Sequence, residues 1–431
     1  MALKILIVGA GVCGPALAFL LQKANPKHTI TVIERFSSLR DGGQQLDLKA
    51  QGIPIMKKMG LLERTKTYCV TEGGMEVVDT NGKILIRAGV TSAGGKEVSL
   101  INEYEFMRGD MVKMFHDASL EERAKASENG EKEGSLHYEF GKTVTAIDQT
   151  DERATVTFSD GKTDQYDLIV AADGQGSRTR RLVFGEKISS DSFKTLGVHA
   201  AYYNIPRLAT EDTRARIYFG PGHRMVVTRT GDRPITQVYL FSMSDAARFE
   251  ALKKTYKEPI AKQKEAWAGF YKDAGWECGR FVDGLMTADD FYATEIAQVK
   301  MPNLYRGRTV LLGDAGYCPS SFTGKGTTLS LIGAYVLAGE LTRHGSDVGA
   351  ALKAYEEKMQ PPIDECQKLP PGAGGGFMPA SVWGLRITNT LVWTMSCFKI
   401  DKLLQWVYEM LPAEKEGWPV PEYPEMKLEK E

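Results

Sequence analysis

The chain has 431 residues, 42% of them hydrophobic and 25% charged, which suits two or three globular domains with a large core. Lysine and arginine number 54 against 55 aspartate and glutamate, so no basic excess exists to meet a phosphate backbone, and nucleic acid is set aside as a partner. Six cysteines without a C-x-x-C pair suggest neither a disulfide framework nor a zinc site; a reducing cytoplasm fits them, and no metal is expected.

The run KILIVGAGVCGPALAFLLQKA followed by HTITVIER reads as strand, tight turn, helix and strand, a βαβ unit. Its turn is a G-x-G-x-x-G. Gly9 allows the tight bend, Gly11 lets backbone approach a pyrophosphate, and Gly14 lets helix and strand pack closely. Glu34 follows Gly14 by 20 residues and ends the next strand, where a carboxylate accepts a ribose hydroxyl. Dinucleotide binding is therefore expected, although this unit does not choose between FAD and NAD(P).

Further along, Met75 to Ala88 has the pattern of a hairpin around Thr80-Asn81-Gly82. Ser119 to Gly134 reads as a helix end and a solvated loop. A strand from Tyr166 to Ala171 feeds Asp173-Gly174, and beyond Phe184 short alternating segments follow: Ala215 to Phe219, Met225 to Thr230 and Ile235 to Met243. These predict an antiparallel sheet of different architecture. The chain then returns to a strand at Thr309 to Leu312, a turn from Gly313 to Gly326 and a helix at Thr327 to Leu341. Leu369 to Gly376 reads as a linker. Trp383 to Tyr408 reads as a docked helix whose buried face carries Trp393, Cys397, Ile400, Leu404 and Val407, and it holds too many charges for stable membrane insertion. Residues 1–74, 89–183 and 286–368 thus form a discontinuous nucleotide-binding domain, 75–88 and 184–285 a substrate domain, and 369–431 a linker, C-terminal helix and tail.

Asp173-Gly174-Gln175-Gly176-Ser177-Arg178-Thr179-Arg180 follows the strand DLIVAA, and Gly313-Asp314-Ala315 follows TVLL. With the N-terminal unit, these resemble the three fingerprints of the aromatic-hydroxylase family of FAD monooxygenases, whose founding fold is that of para-hydroxybenzoate hydroxylase. Leu39 to Leu48, Met56 to Leu62, and Glu105-Phe106-Met107-Arg108-Gly109-Asp110-Met111 are similar to segments of the tetracycline-degrading flavin monooxygenases. The resemblance implies an α/β fold with a Rossmann-like FAD-binding domain and an inserted antiparallel substrate sheet. It implies that Asp47, Arg108 and Asp314 contact FAD, with Asp173 in the second fingerprint, that Glu34 and Arg35 lie at its adenosine end, and that Arg40 reaches the NADPH phosphate.

Each residue has a plainer reading as well. Arg108 with Asp110 makes a local surface pair, Asp314 caps a helix, and Arg178, Arg180 and Arg181 either bind phosphate or cover apolar surface. Gly324 and Gly326 let backbone N–H groups and a helix N-terminus approach a crevice where a reduced flavin carries negative charge. One departure stands out: Gly316-Tyr317 and Ser320-Ser321 replace the Ala-His and proline pair of many relatives.

The function so implied is FAD-dependent oxygenation of a small organic molecule, aromatic or polycyclic, with NADPH or NADH and O2 as co-substrates and a flavin hydroperoxide as the oxygen donor. The chemistry belongs to the cofactor, so no side chain is assigned as a catalytic acid or base. Two alternatives stand beside it: an FAD dehydrogenase or oxidase without oxygen transfer, and a non-catalytic flavin-binding sensor.

Overall fold

The computed structural model describes residues 2–40, 42–88, 104–243, 246–369, 380–397 and 418–429. Its first sheet has six strands in the order Tyr305–Arg306, Thr309–Leu311, Leu168–Ala171, Lys4–Val8, Thr29–Glu34 and Ser135–Phe140. All pairs are parallel except the first. Lys4–Val8 is nearly all apolar because both of its faces are covered. Ile5 and Ile7 pack with the helices Cys13–Ala24, Arg108–Glu128 and Gly326–His344, whereas Leu6 and Val8 face a three-stranded antiparallel sheet, Val144–Gln149, Ala154–Phe158 and Thr163–Tyr166. Gly326–His344 is buried from Thr327 to Leu341, as an apolar helix between layers must be, and Val348–Cys366 covers it. The polar stretch after Ser119 continues the helix to Glu128 before turning.

The second large sheet has seven strands, ordered Tyr292–Val299, Phe193–Pro206, Ile235–Ser242, Arg224–Arg229, Ala215–Gly220, Met75–Val78 and Ile84–Ala88. The pairs are antiparallel apart from Ala215–Gly220 with Met75–Val78, so the hairpin is added to the sheet's edge from far away in sequence. One expected boundary moves. Residues 286–368 were assigned whole to the nucleotide-binding part, yet Tyr292–Val299 pairs along Phe193–Pro206, and the chain leaves this sheet only after Val299. Alternation sets two faces: Ala201, Tyr203, Val238 and Leu240 pack on the helices Ala246–Thr255, Ile260–Tyr271 and Cys278–Thr287, while Ala200, Tyr202, Tyr239 and Phe241 point the other way.

The linker at 370–379 and the helix beyond Cys397 lie outside the described residues. The described helix, Val382–Cys397, packs against Ile84–Ala88 and Ala215–Gly220. Leu385 is buried, but Trp383, Ile387 and Leu391 are exposed, so the face that docks is not a broad apolar one among the described side chains.

Residues 418–429 form a strap that sequence patterning does not reveal. The Tyr423 ring lies where a Cβ on Gly339 would come within 2.4 Å of it, and its hydroxyl donates to Glu340 Oε1 at 2.6 Å. Lys58 pairs with Glu422 at 2.8 Å, Tyr335 Oη donates to the Pro421 carbonyl, and Met426 is fully buried. The strap thus ties the helix Gly52–Lys58 to Gly326–His344. Tyr423→Ala removes a buried ring and one partner of a buried carboxylate, and should cost about 3 kcal/mol of stability, against about 1 for Tyr423→Phe. Denaturant unfolding of the two variants checks the difference.

Candidate cofactor and substrate site

Where the first strand ends, backbone meets backbone. Gly9 has φ +114°, and a Cβ there would lie 2.5 Å from the Ala172 carbonyl oxygen; a Cβ on Gly14 would lie 2.1 Å from the Gly9 carbonyl oxygen. Both glycines are needed by the fold itself. Gly11 differs: a Cβ there would meet only the Arg108 guanidinium, at 3.5 Å, so the space before it is open. The helix that follows has no side-chain cap and no acidic residue in its first turn, which leaves its N–H groups and positive end available to an anion. Glu34 holds this loop, its two carboxylate oxygens accepting from the Ala10 N–H at 3.0 Å and the Phe36 N–H at 3.2 Å.

Arginines gather in front of the loop. The Arg108 side chain packs on Gly43, where a Cβ would lie 2.9 Å from its Cδ. The Arg40 guanidinium sits between two rings, 4.9 Å from the centroids of both Phe36 and Tyr292, and Arg35 lies 4.7 Å from Phe36. Among the described residues no ion pair neutralises Arg35, Arg40 or Arg108. Burial lowers the Arg40 pKa, and the charges of Arg108 and Arg35 lower it further. Arg40 is therefore held at the seam between the two sheets and is not carried out on a free loop. Arg108 does not pair with Asp110, which instead meets Arg233 at 3.1 Å.

Asp314 follows Gly313 at the carboxyl end of the strand Thr309–Leu311. Burial raises its pKa, while a hydrogen bond from the Cys318 thiol and the Arg108 charge pull it down. Cys13, below it, is pushed up to about 12 by burial and by Asp314, so it stays a neutral thiol. Asp173 is committed locally: it accepts from Ser177 Oγ at 2.5 Å and from the Thr179 N–H at 3.1 Å. Arg180 is buried and donates to the Ala315 carbonyl at 2.6 Å and the Gln175 carbonyl at 2.8 Å, which makes it a strut between the second and third fingerprints. Arg181 bonds the Gly176 carbonyl, and Arg178 is exposed.

The helix Gly326–His344 also starts with no side-chain cap and no acidic first turn. Thr328 Oγ1 donates to the Lys49 carbonyl at 2.9 Å, which fixes the segment carrying Asp47 against that helix end. Asp47 pairs with Lys49 at 2.8 Å; Gly324, at φ +63°, has its Cβ direction 3.4 Å from Lys49 Nζ and 3.7 Å from Asp47 Oδ2, and a Cβ on Gly326 would meet Pro319 Cγ at 3.9 Å. Ser320 takes φ +79° and its Oγ accepts from the Phe322 N–H. A proline cannot adopt that conformation, which excludes it at position 320.

Phe322 packs on the free face of the seven-stranded sheet, with Tyr202, Tyr239, Phe241 and Tyr292. Tyr202 and Tyr292 stack with centroids 6.2 Å apart, and Tyr239 and Phe241 meet Tyr202 edge-on. Burial keeps the Tyr202 and Tyr239 hydroxyls protonated. Behind these rings a buried polar network ties the seven-stranded sheet to the antiparallel pair Gln45–Asp47 and Glu105–Met107. Arg229 binds Glu72 at 2.6 Å and Glu105 at 2.5 Å; Gln45 Nε2 donates to Glu105 at 2.6 Å; Gln237 Nε2 donates to Gln45 Oε1 at 3.1 Å; and Tyr239 Oη donates to Gln237 Oε1 at 2.7 Å.

Comparison with known proteins decides the family. The model described as "FAD binding domain" matches residues 2–366. The chain is 40% identical over 433 residues to the FAD-dependent monooxygenase asL6 of Sarocladium schorii, covering 100% of both chains. It is 33% identical to the monooxygenase CTB7 of Cercospora beticola, over 97% of both. This chain belongs to the FAD-dependent monooxygenases. The crystal structure of the tetracycline destructase Tet(51) superposes with a TM-score of 0.73 at 25% identity, covering 96% of this chain and 100% of that one.

The monooxygenase brings Gly9, Gly11, Gly14, Glu34, Arg35, Arg40, Arg108 and Asp314 to one edge of the six-stranded sheet, with Asp47, Gly324 and Gly326 at the second helix end. Open space at Gly11, unneutralised arginines and two uncapped helix ends fit an anionic dinucleotide such as FAD. Arg180, expected to bind phosphate or to cover apolar surface, is instead the strut between two backbone carbonyls, while Phe322, Tyr292 and the partners of Glu105 are marked by nothing in their spacing. Among the described residues no group of three His, Cys, Asp or Glu side chains is placed to hold a metal, and no helix is long and apolar enough to cross a membrane.

Two outcomes follow for this monooxygenase. Gly11→Leu should fold with near-normal stability and lose FAD, whereas Gly14→Ala should unfold early because its methyl has no place; melting and flavin absorbance separate the two. Burial raises the Glu105 carboxyl from 4.5 to about 7, with Arg229 opposing and Asp47 and Glu72 adding to the rise. Between those values the folded chain keeps a proton that the unfolded chain releases, so stability falls as pH rises through that window, by on the order of 3 kcal/mol. Glu105→Gln should flatten the pH dependence of melting between pH 5 and 7.

Proposed function

We propose that this FAD-dependent monooxygenase consumes NAD(P)H and hydroxylates a small aromatic or polycyclic molecule held between the aromatic face of the seven-stranded sheet and the flavin. The observation that carries this reading is the placement of Tyr202, Tyr239, Phe241 and Tyr292, from three strands, and of Phe322, from the turn before Gly326, on the sheet face that looks toward Arg40 and the Gly326 helix end. Such a surface stacks flat rings and excludes water. The similarity to tetracycline destructases supports a multi-ring substrate.

When bound, FAD would take up hydride equivalents from NAD(P)H and activate O2 for transfer of one oxygen atom. The chain's own part is binding, charge and shielding. Gly9, Gly11 and Gly14 shape the pyrophosphate turn, with Glu34, Arg35 and Asp173 around the adenosine half. Arg108 and Asp314 set the charge over the middle of the cofactor. Asp47, Gly324 and Gly326 would hold the flavin end of bound FAD at the second helix end, whose partial positive charge would favour negative charge there. Arg40, at the seam, is assigned to the phosphate of NADPH.

Asp314→Ala should weaken FAD binding with little effect on unfolding; loss of about 1 kcal/mol of stability with unchanged FAD affinity would mark it as a helix cap instead. Arg40→Ala should raise the NADPH KM about tenfold or more and leave the flavin spectrum intact. A changed spectrum would assign Arg40 to the flavin. The larger question is decided with oxygen-18: a metabolite panel of polycyclic phenols under labelled O2 should yield product carrying one labelled atom. Unlabelled product would make the chain a dehydrogenase or oxidase, and ligand binding with no turnover a sensor.

A further inference from the structure

Arg40 is held by aromatic rings instead of by hydrogen bonds. Its guanidinium carbon lies 4.9 Å from the ring centroid of Phe36, on the loop after Thr29–Glu34, and 4.9 Å from that of Tyr292, the first residue of Tyr292–Val299. Among the described residues it has no hydrogen bond and no ion pair. A ring attracts a guanidinium through the negative charge of its face and occupies none of the N–H donors, so the clamp fixes the charge and leaves the donors to a ligand. Arg108 and Arg35 press on the same group with like charge, and a long side chain without a partner regains its freedom in water. The rings are what oppose both. They are themselves fixed. Tyr292 stacks on buried Tyr202, centroids 6.2 Å apart and planes 18° from parallel, and the Phe36 N–H donates to Glu34 Oε1 at 3.2 Å. Two residues before Tyr292, Asp290 accepts from the Asn204 N–H at 3.1 Å and lies against Gly42, where a Cβ would come within 2.8 Å of the Asp290 Cβ. Glycine at 42 thus lets the loop that carries Arg40 close on the chain that enters the substrate sheet.

We propose that Tyr292 and Phe36 are positioning residues for the coenzyme: their rings hold the Arg40 guanidinium at the seam between the two sheets with its donors open, ready for a phosphate of NADPH. The proposal rests on the assignment of Arg40 to that phosphate. It adds that the strength of the contact is set in part by a residue of the substrate sheet, acting through Arg40. A phosphate that arrives meets a planar fork of donors already in place, and the freedom of the long side chain has been lost on folding instead of on binding. No covalent bond forms or breaks in this step.

The test is calorimetric titration of the FAD-loaded protein with NADP+, read beside the KM for NADPH in flavin reduction, and Arg40→Ala sets the full effect. Tyr292→Leu and Phe36→Leu should each raise the NADP+ Kd by about threefold to tenfold, with the NADPH KM following, and Tyr292→Phe should return it to within about twofold of wild type. In the double variant of Arg40→Ala with Tyr292→Leu, the Kd should equal that of Arg40→Ala alone, because the ring acts only through the guanidinium. A ring that served the fold alone would lower the melting temperature and add its loss to that of Arg40→Ala. If Tyr292→Leu or Phe36→Leu binds NADP+ as the wild type does, or if the double variant is additive, the proposal falls while the assignment of Arg40 stands. If Arg40→Ala binds NADP+ as the wild type does, or the wild type does not bind it, the assignment of Arg40 falls and this proposal with it. Should Tyr292→Leu fail to fold, Phe36→Leu, whose ring is 39% exposed, and its double variant with Arg40→Ala give the same decision.

Discussion

The close approach of backbone at residues 9 and 14 constrains nearly everything else. With a carbonyl of Ala172 within 2.5 Å of any Cβ on Gly9, and the carbonyl of Gly9 nearer still to any Cβ on Gly14, the first strand, the first helix and the strand Leu168–Ala171 meet with no side chain between them. The carboxyl ends of the parallel strands therefore lie along a single edge. Loops following Lys4–Val8, Leu168–Ala171 and Thr309–Leu311 open onto that edge, and Arg180 braces the last two by bonding the Ala315 and Gln175 carbonyls. A crevice at the switch point of a doubly wound sheet is the consequence.

Charge then decides what the crevice can hold. Among the described residues Arg35, Arg40 and Arg108 have no ion pair, and Glu34, beside the Gly loop, is occupied by two backbone N–H groups. Two helices end nearby without caps. An isolated fold would gain from neutralising these groups, so their persistence reflects a ligand that completes them. Asp314 is the counterweight: burial raises its pKa, and the Cys318 thiol and Arg108 limit the rise.

The seven-stranded sheet contributes by its faces. Period-two alternation sends one set of side chains into three helices and the other toward the crevice, and the second set carries Tyr202, Tyr239, Phe241 and Tyr292. Its position over the crevice depends on contacts from residues remote in sequence: Arg229 with Glu105, Tyr239 with Gln45, Tyr292 with Arg40. These polar ties are buried, so they are specific in direction and demand that every member be satisfied.

How much of this was legible depended on how local the cause was. The βαβ unit, the roles of Gly9 and Gly14, the strands after Phe184 and the helix after Gly326 follow from periodicity and turn chemistry within a few residues, and those features were readable in order along the chain. The residues Arg108, Asp314 and Asp47 were named by their motifs, but whether Arg108 paired with Asp110 or faced Gly11 was open until the sheet placed Arg233 beside Asp110. The domain boundary at 286 falls before the strand Tyr292–Val299, which pairs with the seven-stranded sheet, because a strand's partner is set by hydrogen bonds to residues about a hundred positions away, which no local pattern encodes. The strap at 418–429, the Arg180 strut and the Glu105 network share that origin. Sequence alone determined which elements form and what chemistry their turns favour; the tertiary structure decided which charges are left unpaired, because pairing is a property of distance in space.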